Sequence, residues 1–275
     1  MSENDTKWPG GRGNSANVLN ERRSISEEMS DAGARKILGS RSRRGFLLGG
    51  AAALAGVFGW RWLPEATKVG FLQRVFRFNE SVTSALFSPT RLAPEFPADK
   101  VSRPARVNGM LGIESEIDLA EWRLNIGGIP GRASDLVLTM DDIRHLPRAE
   151  HITEFKCIEG WSTIVQWKGT KFSDLVAAVT PWKTVEEMPS YVSLATPDGG
   201  YYVGWDTPSI MHPQTLLVYE MNGEMLTSNH GAPLRLASPT KYGIKQLKRI
   251  GRIDFTKERP EDYWAKEGYD WYSGL

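Results

Sequence analysis

Cys157 is the only cysteine in the 275-residue chain, within Phe155-Lys156-Cys157-Ile158-Glu159-Gly160-Trp161-Ser162. A lone thiol closes no disulfide within the chain and cannot supply the paired thiolates of most structural zinc sites. It is either a small buried hydrophobe or a reactive centre acting alone. One reactive reading makes it a nucleophile activated by His151 or His230. Two further stretches carry polar chemistry, Asn229-His230-Gly231-Ala232-Pro233-Leu234-Arg235-Leu236 and Tyr242-Gly243-Ile244-Lys245-Gln246-Leu247-Lys248. Taken alone, Arg235 reads as a solvated strand residue and His230 as a structural donor. The series Lys241, Lys245, Lys248, Arg249 and Arg252 reads as a solvated basic face. His145, His151 and His212 lack the spacing of a metal site, and Asp141-Asp142 reads as helix N-terminal charge.

Short elements must position these groups. Trp122, Leu124 and Ile126 alternate with polar neighbours, which predicts a half-buried strand ending at Gly127-Gly128. Thr139 and Asp142 form a capping-box pattern before a short helix through Leu146, stopped by Pro147. His151, Thr153, Phe155 and Cys157 share one face of a strand that ends at Glu159-Gly160, so the cysteine sits where strand becomes turn. Phe172, Leu175, Val176 and Val179 have helical spacing, stopped by Pro181. Further strands are expected at Tyr191–Thr196, Gly199–Asp206, Leu234–Ala237 and Arg249–Phe255. Asn222-Gly223 predicts a hairpin turn after Leu216–Tyr219. Many short strands with few helices predict a mixed α+β body rather than a doubly wound sheet.

Near-neutral charge, net +1, leaves no global footprint for nucleic acid. Residues 1–40 are polar and read as a disordered tail on the cytosolic side. In residues 41–62 the basic cluster Arg41-Ser42-Arg43-Arg44 abuts an uncharged run from Gly45 to Trp60. Ser42-Arg43-Arg44-Gly45-Phe46-Leu47 resembles the twin-arginine export signal, which implies passage through that export machinery as a folded, cofactor-loaded protein. No clean cleavage site follows, so retention as a membrane anchor stays open. Residues 63–100 read as an irregular linker with an amphipathic portion around Phe71, Val75, Phe76 and Phe78. The folded body is expected over residues 101–275.

The Cys-x-Glu-Gly-Trp-Ser loop, the His-Gly-Ala-Pro-Leu-Arg segment and the Tyr-Gly-x-Lys-x-x-Lys segment occur in that order over Asn108 to the C-terminus. Together they resemble the molybdopterin domain of the sulfite oxidase superfamily, and within it the bacterial catalytic subunits related to periplasmic methionine sulfoxide reductase. The resemblance implies a mixed-sheet α+β domain holding molybdenum on a molybdopterin without attached nucleotide. It makes Cys157 the catalytic metal ligand. It assigns Asn108, Thr196, His230, Arg235, Gln246, Leu247 and Lys248 to the cofactor, with Gln246 and Leu247 acting through their backbones. A phosphate-bearing pterin calls for fixed donors and positive charge. Glu159, Trp161 and Tyr202 are candidates for the substrate pocket.

The family's sulfite oxidases carry an arginine shortly after the ligand cysteine, whereas this loop carries Glu159 and Trp161. A carboxylate there repels sulfite, so reduction of S-oxides or N-oxides, such as methionine sulfoxide, is favoured over sulfite oxidation. With no second redox centre evident, a membrane haem protein is the expected electron partner of a monomeric, periplasmic catalytic subunit. A cofactor-free exported binding module is the remaining alternative.

Overall fold

The structure is a computed structural model that describes residues 63–275. The expectations for residues 1–40 and 41–62 lie outside the described residues. Where the sequence suggested an irregular linker, Glu65–Leu86 form a 22-residue helix, α1, with no buried residue. Its apolar side chains do not gather on one core-facing stripe, which is why its periodicity was hard to read.

Five strands make the first sheet: β1 (Leu124–Gly127), β2 (Leu136–Leu138), β5 (Tyr191–Ala195), β6 (Tyr202–Asp206) and β10 (Arg252–Thr256), in the order β2-β1-β10-β5-β6. Only β1 and β10 pair in parallel, so the sheet is mixed. The second sheet contains β3 (Arg148–Lys156), β4 (Ser162–Lys171), β7 (Leu216–Met221) and β8 (Glu224–Met225), with β9 (Arg235–Ala237) also paired to β7. The architecture is the mixed α+β expected from the sequence.

Several elements form for the reasons their residues suggested. The Thr139 hydroxyl accepts the Asp142 N–H and the Asp142 carboxylate accepts the Thr139 N–H, opening α2 (Met140–Arg144) with a complete capping box. Helix α3 (Phe172–Val179) buries Phe172, Leu175 and Val176. Asn222 and Gly223 both take positive φ, 55° and 87°, as a two-residue hairpin of this twist demands. β4 went unread because its outward positions are polar. Its inward Val165 and Trp167 are nevertheless buried, and Gly169 follows them because a Cβ there would lie 2.0 Å from the Leu217 carbonyl oxygen.

Two apolar cores result. The larger one joins Trp122, Leu124, Ile126, Phe172, Leu194, Trp205, Leu234 and Ile253, among others. The smaller one surrounds Phe155, Cys157, Val165, Trp167 and Val218. The expected basic face is not solvated: Lys241 and Lys245 are each 1% exposed and Arg249 is 2% exposed. These residues lie on a turn threaded through the interior, not on an open strand or helix. Lys245 Nζ donates to Asp262 Oδ2 and to the Trp271 carbonyl, both at 2.6 Å, and Lys241 Nζ pairs with Asp206 Oδ1 at 2.9 Å. These pairs pin the segment carrying α4 (Thr207–Ile210) and α5 (Tyr263–Lys266) onto the body. Only Arg252 of the series sits on the surface, held by Asp135 and Asp254.

Candidate functional site

Cys157 is the first residue past β3, with its side chain 8% exposed. Its N–H donates to the Trp161 carbonyl at 2.9 Å, and its own carbonyl accepts the Gly160 N–H at 3.1 Å. Gly160 supplies the positive φ of 86° that this tight loop needs. The loop returns directly into β4, so both flanks of the thiol are fixed by the β3–β4 ladder. The thiol donates to Glu159 Oε2 at 3.8 Å, and the same carboxylate oxygen accepts Trp161 Nε1–H at 2.8 Å. Burial first, and the adjacent Glu159 charge as well, push the Cys157 thiol up. That is the opposite of an activated nucleophile, whose thiolate is favoured by a neighbouring cation.

The Cys157 thiol has its hydrogen bond to Glu159 and not to a histidine. His151 Nδ1 is 2.7 Å from Glu95 Oε1, and its neighbour across the ladder is Trp167. His230, held near a pKa of about 4 by burial and then by Arg235 and Lys248, stays neutral. His212 binds the Arg91 carbonyl at 3.0 Å in a structural role.

The thiol opens onto a cavity of about 170 Å³. Asn108, Gly109, Gln246 and Lys248 line one part of it; Leu111, Ile158, Tyr201, Ile244, Trp264 and Tyr269 give it apolar and aromatic walls, and Glu159 completes the lining with Cys157 and Gly243. The sequence reading brought Asn108, Cys157, Glu159, Gln246 and Lys248 to this cavity, and the structure gathers all five. Trp161 lies just behind it, stacked on Phe155 at 5.8 Å and covered by the Arg106 guanidinium at 4.1 Å.

Three candidates stand elsewhere. Tyr202 does not line the cavity; Tyr201 does, because successive side chains alternate across the sheet. Tyr202 instead packs on Tyr263 beneath Lys266. Thr196 is buried with its hydroxyl on Asp198 at 2.6 Å, and lines a neighbouring cavity with Arg123, Asn125 and Arg252. Leu247 points into the main core, while its carbonyl accepts the Leu236 N–H at 2.8 Å. Trp264 and Tyr269 were missed because their distance in sequence from Cys157 gives no local signal.

Beside the cavity lie two buried cations. Lys248 Nζ donates to the Asn108 carbonyl, and to the Gly109 and Asn229 carbonyls at 2.8 Å each. Arg235, 1% exposed, gives Nη1–H to the His230 carbonyl at 3.1 Å and stacks over Trp167 at 4.8 Å. Its Nη2 is buried with no hydrogen-bond partner. Among the described residues, no carboxylate pairs with either cation. Burial lowers the Lys248 ammonium to about 7, with Arg235 adding to the effect, and burial lowers Arg235 to about 9. A guanidinium with an unused buried donor, beside an ammonium whose charge no described carboxylate answers, fits an anion such as phosphate. Among the described residues, no group of three or more His, Cys, Asp or Glu could hold a metal ion. A metal at Cys157 must therefore bring most of its ligands with it. A molybdenum held by pterin sulfurs and tethered to a phosphate fits both halves of this donor set.

Mixed sheets, a lone thiol at a strand end and an adjoining anion receptor define a cofactor-dependent redox domain. Residues 110–264 match the oxidoreductase molybdopterin binding domain family, and the chain belongs to that family. It is an oxidoreductase that uses the molybdenum–molybdopterin cofactor. The putative protein-methionine-sulfoxide reductase subunit YedZ1 of Azospira oryzae is 32% identical over 94% of this chain and 96% of its own length. The protein-methionine-sulfoxide reductase catalytic subunits MsrP of Campylobacter jejuni and Ralstonia nicotianae are 32% and 31% identical over 60% and 66% of this chain. The chain spans 60% and 56% of the length of those two MsrP proteins. The sulfane dehydrogenase SoxCD of Paracoccus pantotrophus, a solved structure, aligns at TM-score 0.48 and 21% identity over 54% of this chain and 41% of that one.

Proposed function

We propose that the protein reduces neutral S-oxides of the methionine sulfoxide type, as the names of its sequence relatives also suggest. The observation that carries this reading is the composition of the cavity around the thiol. The charged group in contact with the Cys157 thiol is the Glu159 carboxylate, Lys248 stands on the lining, and the remaining walls include Ile158, Tyr201, Trp264 and Tyr269. With Lys248 taken up by the cofactor phosphate, the carboxylate at the thiol disfavours an oxyanion like sulfite, and the apolar walls accept a neutral, polarisable thioether oxide.

When bound, the cofactor supplies two-electron oxygen-atom transfer. Cys157 is the residue that would bind its metal, and Arg235 and Lys248 would take its phosphate. Asn108 and Gln246 are placed on the same cavity wall, with His230 beside the cations. The other residues act on substrate and solvent. Trp264 and Tyr269 limit water at the cavity, and Trp161 Nε1–H holds Glu159 Oε2 in place near the thiol. That oxygen is the acceptor toward which the Cys157 proton already points.

Electrons would come from a membrane haem protein, at the outer face of the membrane that the twin-arginine-like Arg43-Arg44 pair implies, with the run Gly45–Trp60 retained as an anchor. Rates with methionine sulfoxide, dimethyl sulfoxide and sulfite, measured on one preparation with a viologen or a cytochrome as redox partner, test the substrate reading. Methionine sulfoxide should lead. Sulfite oxidation fastest by a wide margin would overturn it while leaving the cofactor assignment intact.

A further inference from the structure

Helix α1 touches the body with one side only. Phe76, Glu80 and Thr83 are half-buried; Glu80 pairs with Arg259 at 2.9 Å and Asn79 Nδ2 donates to Asp270 Oδ2 at 3.3 Å. Phe76 and Glu80 border a cleft with Arg259, Tyr269 and Trp271. Another side of the same helix is apolar and turned to solvent. Leu72, Val75, Phe78, Val82 and Leu86 are 43%, 44%, 70%, 38% and 69% exposed. Their spacing of three or four residues places all five within about a third of the helix circumference. A row of this kind over several turns is more than the scattered exposed residues of an ordinary surface.

The neighbouring charges select its occupant. From Val69 to Leu86 the ionisable residues are Arg74, Arg77 and Glu80, and Glu80 is tied to the body by Arg259. The charge bordering the apolar row is therefore Arg74, while Arg77 turns to the cleft shared with Phe76 and Glu80. Two copies of the helix meeting along this row would leave Arg74 without an acidic partner, since Glu65 is paired with Lys68 and Glu80 with Arg259. An anionic lipid surface answers both features, taking the apolar row into the acyl boundary and Arg74 at its border to the headgroups.

Chain continuity places the helix there. The uncharged run Gly45–Trp60 ends five residues before Glu65, so the start of α1 lies at most roughly 18 Å from the end of that run. We propose that α1 is an interfacial helix that lies on the anionic membrane surface through Leu72, Val75, Phe78, Val82 and Leu86. This rests on the reading of Gly45–Trp60 as a retained anchor, and it orients the catalytic body relative to the bilayer, which a tether alone would not.

The test uses full-length holoprotein in vesicles of phosphatidylethanolamine and phosphatidylglycerol. Nitroxide labels are placed by Phe78→Cys and, on a different exposed side of the helix, by Ser84→Cys. The parent protein, labelled identically, measures background from buried Cys157. Relaxation by oxygen should be strong and by a water-soluble nickel chelate weak at residue 78, with the reverse at residue 84. A residue 78 label that is open to the nickel chelate would overturn the proposal. So would dipolar broadening between labels on two copies, or a lipid signal equal at both sites. Alkaline carbonate extraction separates the two ideas. Protein released by carbonate but lipid-exposed at residue 78 keeps the interfacial helix and discards the anchor. Protein retained by carbonate but water-exposed at residue 78 does the opposite.

Discussion

Lys248 ties the chemistry of the site to pH. Its ammonium titrates at an ordinary value of 10.5 in the unfolded chain and about 7 in the folded one, with burial the main cause. Between those values the unfolded state binds more protons, so the stability of cofactor-free protein should rise with pH across that window and fall as pH drops through about 7. Urea unfolding of apoprotein between about pH 6 and about pH 10, compared with Lys248→Met, checks this: the variant should show a flatter dependence. The same proton governs anion affinity. Pyrophosphate should bind apoprotein more tightly near pH 6 than near pH 9, and Lys248→Met should remove most of that difference, read by calorimetry. Cys157→Ser should abolish turnover and most bound molybdenum while sparing much of the pterin, since the phosphate contacts lie on Arg235 and Lys248; metal and pterin assays on one sample decide it. Cys157, Arg235 and Lys248 were legible because each stands in a short segment of definite pattern. Tyr201 was not, since its reach into the cavity depends on which way a strand's alternation starts. Lys241 and Lys245 misled, because a run of lysines announces charge but not the Asp206 and Asp262 partners that let the interior accept it.

At the level of elements, the C-terminal segment depends on one buried ion pair. Lys245 and Asp262 side chains are each 1% exposed. Removing one partner of such a pair leaves an uncompensated charge and should cost about 3–5 kcal/mol. Asp262→Asn is therefore expected to lower the urea midpoint strongly, and to loosen the Trp264 and Tyr269 walls of the cavity before the sheets unfold, visible as faster amide exchange over α5. Gly204 reinforces the same contact: a Cβ there would lie 2.6 Å from the Trp271 ring. Gly204→Val should mimic the asparagine variant in amide exchange while leaving all charges in place. Local chemistry made the capping box of α2 and the Asn222-Gly223 hairpin readable. β4 was not, because its outward polar residues and Gly169 obscure a strand whose identity comes from pairing with β3 and β7.

For the whole molecule, the proposed export and attachment would set where the chemistry occurs. Replacing Arg43 and Arg44 with lysine should hold the protein in the cytoplasm, since a receptor-read arginine pair does not accept the ammonium. Cell fractionation reads the result, and normal accumulation of the double variant outside the cytoplasm would point to another route. Among the described residues no helix is long and apolar enough to cross a membrane. Composition and strand spacing conveyed the mixed α+β class, because short alternating runs dominate the chain. Of helix α1 the sequence offered only an amphipathic portion around Phe71 to Phe78, and its full extent from Glu65 to Leu86 went unread because none of its residues is buried in the core.

The cavity draws its walls from Asn108 through Cys157 to Trp264 and Tyr269. During synthesis these residues leave the ribosome roughly ten to thirty seconds apart. No nascent chain that has produced only Cys157 owns an aromatic wall, and the anion receptor is completed only when Lys248 has emerged. The complete cavity therefore exists only once translation has passed residue 269. A ribosome stalled between residues 160 and 240 would expose a bare thiol with nothing to seat against it.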